Sequence, residues 1–339
     1  MSASRSRRNT RGGKGPSLWP AVLIALAGLF AAAGAVGAEP VRLAVLKFGT
    51  VNWELDVIKT HGLDRAEGIS LEVLGLASKN ATGVALQAGE VDIIVTDWIW
   101  VSRQRAEGVG YTFVPFSTAA GAVMVPAASP VHGLGDLKGK RLGIAGGPLD
   151  KSWLLLRGLT QRNLGFDADR DIDKAFAAPP LLNEQILAGR LDAVLNFWHY
   201  TARLEAAGLR RVMGVDEITR ALGADSPIPL IGFVFDDDWA EANREQVMGL
   251  LRASRKAKAL LRESDAEWER LRPLMKAKDE ATFRALRDGY RRGIPESWGA
   301  KEQADAERIF RILAEQGGAK LVGRSKVLQD GTFWPHFSY

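Results

Sequence analysis

The residues best suited to hold a small molecule fall beside predicted strand ends. They are three amides (Asn52, Asn80, Asn196), three tryptophans (Trp53, Trp98, Trp198), one cation (Lys79) and two carboxylates (Asp97, Asp150), with Gly147 in a loop ahead of Asp150. This is chemistry for stacking and hydrogen bonding rather than bond breaking. A tryptophan offers ~150–250 Å² of burial. At ~25 cal/mol per Å², two or three of them supply the ~8 kcal/mol of a micromolar site. For any one of them, core packing is an equal claim. An unpaired carboxylate beside a buried anion is costly, while Lys79 and the helix starts near Asn80 and Ser152 favour negative charge. The mixture suits a zwitterion or a neutral polar or aromatic ligand better than nitrate or a simple sulfonate. Asp97 has a second reading, as the cap of the next helix.

Covalent and metal chemistry find little support. The chain has no cysteine, which excludes disulfides, thiol catalysis and Cys-ligated metals. No Gly-x-Ser-x-Gly elbow occurs. His61, His132, His199 and His336 lack the pairwise spacing of metal ligands, although His199 follows Trp198 and is placed to touch a ligand. The loop from Gly143 to Ser152 resembles a phosphate loop only superficially, because Asp150 precedes Lys151-Ser152 where glycine is needed. No catalytic residue, metal or cofactor is expected.

What must position these groups is written twice. Leu86 to Trp98 and Ile186 to Trp198 share Ala88/Ala188, Gly89/Gly189, Asp92/Asp192 and Trp98/Trp198. Each reads as a helix end, a left-handed glycine, a short buried strand over 91–95 or 191–195, and a polar-aromatic exit. Ligands of open α/β sheets sit at the carboxyl ends of the strands, so two such units facing each other share one ligand. The alternative is a common helix-turn-strand pattern met twice.

The chain around the repeats agrees. Strands are predicted at 41–46, 69–74, 111–116, 122–126, 141–145 and 230–235, with helices between them, one opened by Ser78 or Asn80 as its cap. The series is α/β with a largely parallel sheet in each of two units. Ser117–Gly121 and Asp225–Leu230 read as crossovers and hinges. From Trp239 the spacing is helical, over 239–263, 267–277, 280–291 and 301–315.

Composition sets the compartment. Of the 339 residues 46% are hydrophobic and 25% charged, as in ordinary globular chains. The net charge of +5 belongs to Arg5, Arg7, Arg8, Arg11 and Lys14; beyond residue 38 basic and acidic residues balance at 40 each. A basic start, an uncharged Leu/Ala-rich run over 18–38 and the Val36-Gly37-Ala38 exit describe a secretory signal cleaved near Ala38. An uncut membrane anchor and, through Arg7-Arg8, a twin-arginine signal remain open for this segment. The neutral mature chain removes the electrostatic case for a nucleic-acid partner.

Leu86 to Asp97, Gly133 to Gly143 (with its Asp-Leu-Lys-Gly-Lys-Arg run) and Ala188 to Ala193 resemble the solute-binding proteins of ATP-binding-cassette (ABC) importers, in the nitrate/sulfonate/taurine group. The likeness runs from about Val41 to Gly323. It implies a two-lobed periplasmic-binding-protein-like fold of type II, with two crossovers and C-terminal helices completing lobe one. The expected divisions are a signal peptide over 1–38, lobe one over 39–120 and 229–339, and lobe two over 121–228. The resemblance further implies a periplasmic monomer that closes on one small-molecule ligand and delivers it to an ABC permease in the inner membrane. It puts ligand contacts at Asn52, Trp53, Lys79, Asn80, Asp97, Trp98, the 146–150 loop and the 196–198 exit, so Trp98→Ala and Trp198→Ala are each expected to weaken binding without unfolding the chain. Two other classes stay open: a sensing domain anchored by an uncut leader, and an enzyme like the thiamine-pyrimidine-synthesis branch of this fold.

Overall fold

A computed structural model describes residues 40–339. The leader expected over 1–38 lies outside them. The described chain builds two five-stranded sheets, the first ordered β2-β1-β3-β10-β4 and the second β7-β6-β8-β5-β9. The first holds β1 (Val41–Leu46), β2 (Leu71–Leu76), β3 (Ile93–Asp97), β4 (Tyr111–Ser117) and β10 (Ile231–Asp236). The second holds β5 (Gly121–Val125), β6 (Arg141–Ala145), β7 (Asp173–Ala177), β8 (Ala193–Phe197) and β9 (Arg210–Gly214). Both share one plan. A central strand pairs in parallel with two neighbours (β1 with β2 and β3, β6 with β7 and β8), and one antiparallel strand, β10 or β5, stands between the third and the last in each order.

The antiparallel strands are the ones the crossovers feed. β10 begins opposite the ends of β3 and β4, with Ile231 beside Asp97 and Ser117. β5 begins with Gly121 beside Phe197, at the end of β8. Both connections therefore run between the carboxyl ends of the two sheets, the edge where this sheet class binds ligands.

Helices cover the sheets in the order the alternation predicts. They are α1 (Val51–Thr60), α2 (Leu63–Ala66), α3 (Lys79–Gln87), α4 (Trp98–Ala106), α5 (Lys151–Asn163), α6 (Ala168–Asp171), α7 (Pro179–Leu187), α8 (Trp198–Ala206) and α9 (Val215–Ala221). After β10 come α10 (Asp237–Ala242), α11 (Arg244–Glu263), α12 (Asp265–Met275), α13 (Glu280–Arg292) and α14 (Ala300–Val322). The helical tail thus has five members where spacing predicted four, because the chain breaks at Asn243 between α10 and α11. The last runs seven residues past its predicted end, through a non-helical Gly318.

The repeated stretch is a repeated piece of structure. Gly89 and Gly189 follow their helices with φ of 71° and 69°, the left-handed region glycine reaches without strain. The two strands start two residues later than predicted, so Asp97 and Phe197 end them and Trp98 and Trp198 are the first residues of α4 and α8. Asp92 and Asp192 have the same structural task. Asp92 Oδ2 accepts the backbone N–H of Arg42 at 2.8 Å, and Asp192 Oδ2 that of Arg141 at 2.7 Å. Each carboxylate satisfies a donor where the central strand of its sheet begins.

Two large cores and one smaller one hold this together. One core runs through both sheets, from Ile94, Trp98 and Phe113 to Val123, Ile144 and Leu195, with Phe310 and Leu313 of α14 packed in it. α14 touches both α4 and α5, and α13 touches α8. The C-terminal helices complete lobe one and also rest on lobe two. The second core carries a buried ion pair. Lys258 of α11 donates to Glu54 Oε2 of α1 at 2.7 Å, Tyr290 of α13 donates to the same oxygen at 2.8 Å, and Ser254 donates to Oε1. Burial pushes the Lys258 ammonium below its ordinary value, with Glu54 opposing.

Candidate functional site

Three loops from both lobes meet at one carboxylate. Asp97, at the end of β3, is only 4% exposed. Its Oδ1 accepts the Trp100 N–H at 3.0 Å and so caps α4. Its Oδ2 accepts two ammonium groups, Lys79 of lobe one and Lys151 of lobe two, each at 2.8 Å. Both readings of Asp97 made from the sequence, cap and site edge, describe the same side chain. Burial alone would raise the Asp97 pKa, but the charges of Lys151 and Lys79 and their hydrogen bonds outweigh it and hold the carboxyl well below the usual range. Burial alone would lower Lys151, and Asp97 beside it raises it instead.

Local sequence explains the convergence. Ser78 caps α3 by accepting the Ala81 N–H, which starts the helix at Lys79. Asp150 caps α5 through Ser152 and Trp153, which starts that helix at Lys151. The turn before it is tight: Gly146 and Gly147 have φ of 84° and 95°, and a Cβ on Gly146 would come within 2.7 Å of Asp150. Burial pushes the Asp150 carboxyl up, against the pull of Lys151.

Around the triad lies a cavity of about 460 Å³. Asn80, Trp100 and Leu149 line it, with Arg103 from α4 and Lys320 and Leu321 from α14. Its charged lining is Lys79, Arg103, Lys151 and Lys320 against Asp97 alone. Positive charge in such a cavity attracts an anion, and the bicyclic indole and branched aliphatic walls accept an apolar body.

The ten expected contacts divide. Lys79, Asn80 and Asp97 line this cavity, and Gly147 and Asp150 shape the turn that delivers Lys151. Trp98 is fully buried, donates its indole N–H to the Pro229 carbonyl at 2.9 Å, and packs on Phe310 and Phe333. As the first residue of its helix it points into the core rather than past the strand end, so its assignment as a contact is replaced by a packing role. Asn196 is 2% exposed and satisfied by Pro179, Asn183 and the Phe197 N–H. Asn52, in the first turn of α1, donates its amide N–H to the Leu46 and Gly49 carbonyls of the preceding loop. Trp53 is 5% exposed and meets Trp198 edge-on at 5.9 Å and Trp268 at 6.0 Å. Trp198 lines a second cavity, of about 500 Å³, at the crossovers. Trp98 and Trp198 therefore do not share a crevice.

Sequence reasoning passed over Lys151, Arg103 and Lys320. Lys151 carried a signal, since a residue directly after an N-cap aspartate sits at the mouth of a helix. Arg103 and Lys320 carried none; they meet only because α14 lies over α4, where Arg103 donates to the Lys320 carbonyl. His199, adjacent to Trp198, has a buried Nδ1 with no hydrogen-bond partner among the described residues, and burial, with Arg203 nearby, lowers its pKa to about 4.

A family profile described as NMT1/THI5 like matches residues 57–267, more than half of the chain. The chain belongs to the NMT1/THI5-like family. No curated protein matches it closely. Solved structures share its fold. The alkanesulfonate-binding protein SsuA of Xanthomonas axonopodis pv. citri, bound to MOPS, is 21% identical with a TM-score of 0.65, over 88% of this chain and 99% of that one. The periplasmic aliphatic sulphonate-binding protein SsuA of Escherichia coli is 20% identical with a TM-score of 0.68, over 87% and 92%. A DszB variant in complex with biphenyl-2-sulfinic acid is 17% identical with a TM-score of 0.57, over 87% and 97%. The two-lobed α/β fold of this NMT1/THI5-like chain is thus the fold of periplasmic solute-binding proteins.

Proposed function

We propose that this protein is a periplasmic solute-binding protein that captures a small organic anion in the Lys79–Asp97–Lys151 cavity and delivers it to an ABC permease. The observation that carries the reading is the charge excess around one buried carboxylate. Two ammonium groups share Asp97 Oδ2, and Arg103 and Lys320 join them in the same enclosure. Lys79, Arg103 and Lys320 are exposed and Lys151 is paired with Asp97, so the excess acts as a local positive field that a bound anion would neutralise. Residue types alone favoured a zwitterion or a neutral ligand; adding Lys151, Arg103 and Lys320 moves the balance toward net negative charge. Trp100, Leu149 and Leu321 suit an apolar body on the same molecule. The SsuA structures, whose names state sulfonate binding, are compatible with that class.

Binding is favoured over catalysis because the pair at the centre of the cavity, Asp97 and Lys151, is held in its charged state. Asp97 is held ionised and Lys151 protonated, each by the other. Neither is poised to exchange a proton near neutral pH, as an acid–base catalyst must be. Lobe one, over 39–120 and 229–339, and lobe two, over 121–228, would move about the crossovers, with the closed form favoured only as far as the ligand binds it better. Export with cleavage near Ala38 completes the reading.

Native mass spectrometry of protein purified from its own cell identifies the passenger, and calorimetry with butanesulfonate, butyrate and butylammonium tests the class. The anions are expected to bind and Lys79→Met and Lys151→Met to weaken them. A cationic passenger, or anion affinity unchanged in both variants, overturns the assignment. Turnover of the bound compound would favour the enzyme reading.

A further inference from the structure

The cavity at the crossovers differs from the triad cavity in position and in charge. Thr118 to Gly121 of the first crossover and Pro227, Ile228 and Leu230 of the second form part of its wall. Lobe two contributes Trp198 and Thr201 of α8 and Asp216 and Arg220 of α9. Gly289 and Arg292 of α13 and the loop through Glu296 close it from the C-terminal side.

Its charged groups sort into satisfied and unsatisfied sets. Arg211 is held by Asp216 at 3.1 Å. Arg291 is held by Asp265 at 2.7 Å and by the Leu261 carbonyl at 3.0 Å. Four others, Arg220, Arg292, Glu205 and Glu296, line the cavity, and their side chains make no ion pair or hydrogen bond among the described residues. Two cations and two carboxylates balance. A field of that kind gives no advantage to a net ion and favours a molecule carrying both charges. Trp198 adds an indole wall, against which an alkylated ammonium is also attracted.

We propose that this cavity is a second ligand site, taking a small zwitterion of the betaine or amino-acid class, with its carboxylate toward Arg220 and Arg292 and its ammonium toward Glu205 and Glu296. Arg220 and Glu205 belong to lobe two, and Arg292 and Glu296 to the C-terminal segment, whose preceding strand β10 lies in the first sheet. A molecule held by both groups spans the two lobes beside the connections between them, so its occupancy and lobe opening are coupled, each favouring the other's compatible state. The site itself stands independently of the triad cavity; only the coupling rests on the proposed function.

The test is calorimetry with glycine betaine, using choline and acetate as its single-charge halves, with the comparison against acetate read in Lys151→Met so that acetate taken up at the triad cavity does not enter it. Betaine is expected to bind about tenfold or more tighter than either half, as one charge-assisted contact implies. Arg220→Ala/Arg292→Ala, two exposed positions, is expected to lose that preference while its circular dichroism and melting point stay unchanged. Lys151→Met is expected to keep it while losing organic anions. Betaine bound no tighter than choline or acetate, an unaffected arginine double variant, or loss of betaine binding in Lys151→Met would each overturn the second site. Loss of anion binding alone bears on the triad cavity and not on this one.

Discussion

Replacing Asp97 with asparagine tests the triad most directly. Asparagine keeps an oxygen for the Trp100 N–H, so the cap of α4 survives within a few tenths of a kcal/mol. What disappears is the charge shared by Lys79 and Lys151. The Lys151 side chain is 24% exposed and Asp97's 6%, so this pair is mostly buried. Breaking a fully buried pair costs about 3–5 kcal/mol, and the partial exposure of Lys151 puts its share at roughly 2 kcal/mol. Lys79 is 48% exposed and screened by solvent, so its share is at most about 1 kcal/mol. Asp97→Asn is therefore expected to cost about 3 kcal/mol, a large part of a typical ~5–15 kcal/mol total. Urea unfolding of wild type, Asp97→Asn, Lys151→Met and the double variant measures it. The double variant should be more stable than the sum of the singles implies, by about 1 kcal/mol or more, because Lys151 is no longer left unpaired. A cost for Asp97→Asn below about 1 kcal/mol, or strict additivity, would refute the reasoning, since ordinary exposed pairs behave that way.

The same group sets an acid limit. Its folded pKa lies well below the unfolded value of about 3.9, so the stabilisation is fully present above that value and is lost as pH falls through the folded one. In Lys151→Met the folded pKa rises and the loss begins at higher pH, which acid titration of circular dichroism reads out.

Three other outcomes are expected. His199 has a folded pKa near 4 against about 6.5 unfolded, so stability falls as pH drops between those values; an imidazole titrating near 6.5 by NMR would contradict it. Trp98→Ala should cost about 3–5 kcal/mol through lost packing, seen in chemical denaturation, with little change in anion affinity of the folded fraction; intact stability with lost binding would restore it as a contact. Gly289→Ala puts a methyl within 3.1 Å of the Trp198 ring, so the ring must give by a few tenths of an ångström, opposing the ~1 kcal/mol that alanine gains over glycine inside a helix; tryptophan emission is expected to shift, and unchanged emission would show that α13 and α8 are not packed this closely.

The local units were legible in the chain alone. The glycines after α3 and α7 and the alternation of apolar runs with helical spacing follow from backbone sterics and periodicity, which act over a few residues. The paired repeats at 86–98 and 186–198 marked the matching places in the two sheets, and Lys79, Asn80 and Asp97, expected as contacts from their strand-end positions, line one cavity. Tertiary structure decided which way each side chain turned. A two-residue shift of the strand ends put Trp98 at the start of a helix and into the core, while its counterpart Trp198 reached a different cavity. It also brought Lys151 across from lobe two and Lys320 from the last helix to one carboxylate's surroundings. Those meetings join residues up to about 240 positions apart, and no periodic pattern extends that far; they follow from how two sheets and the final helix pack, which burial of the shared core selects.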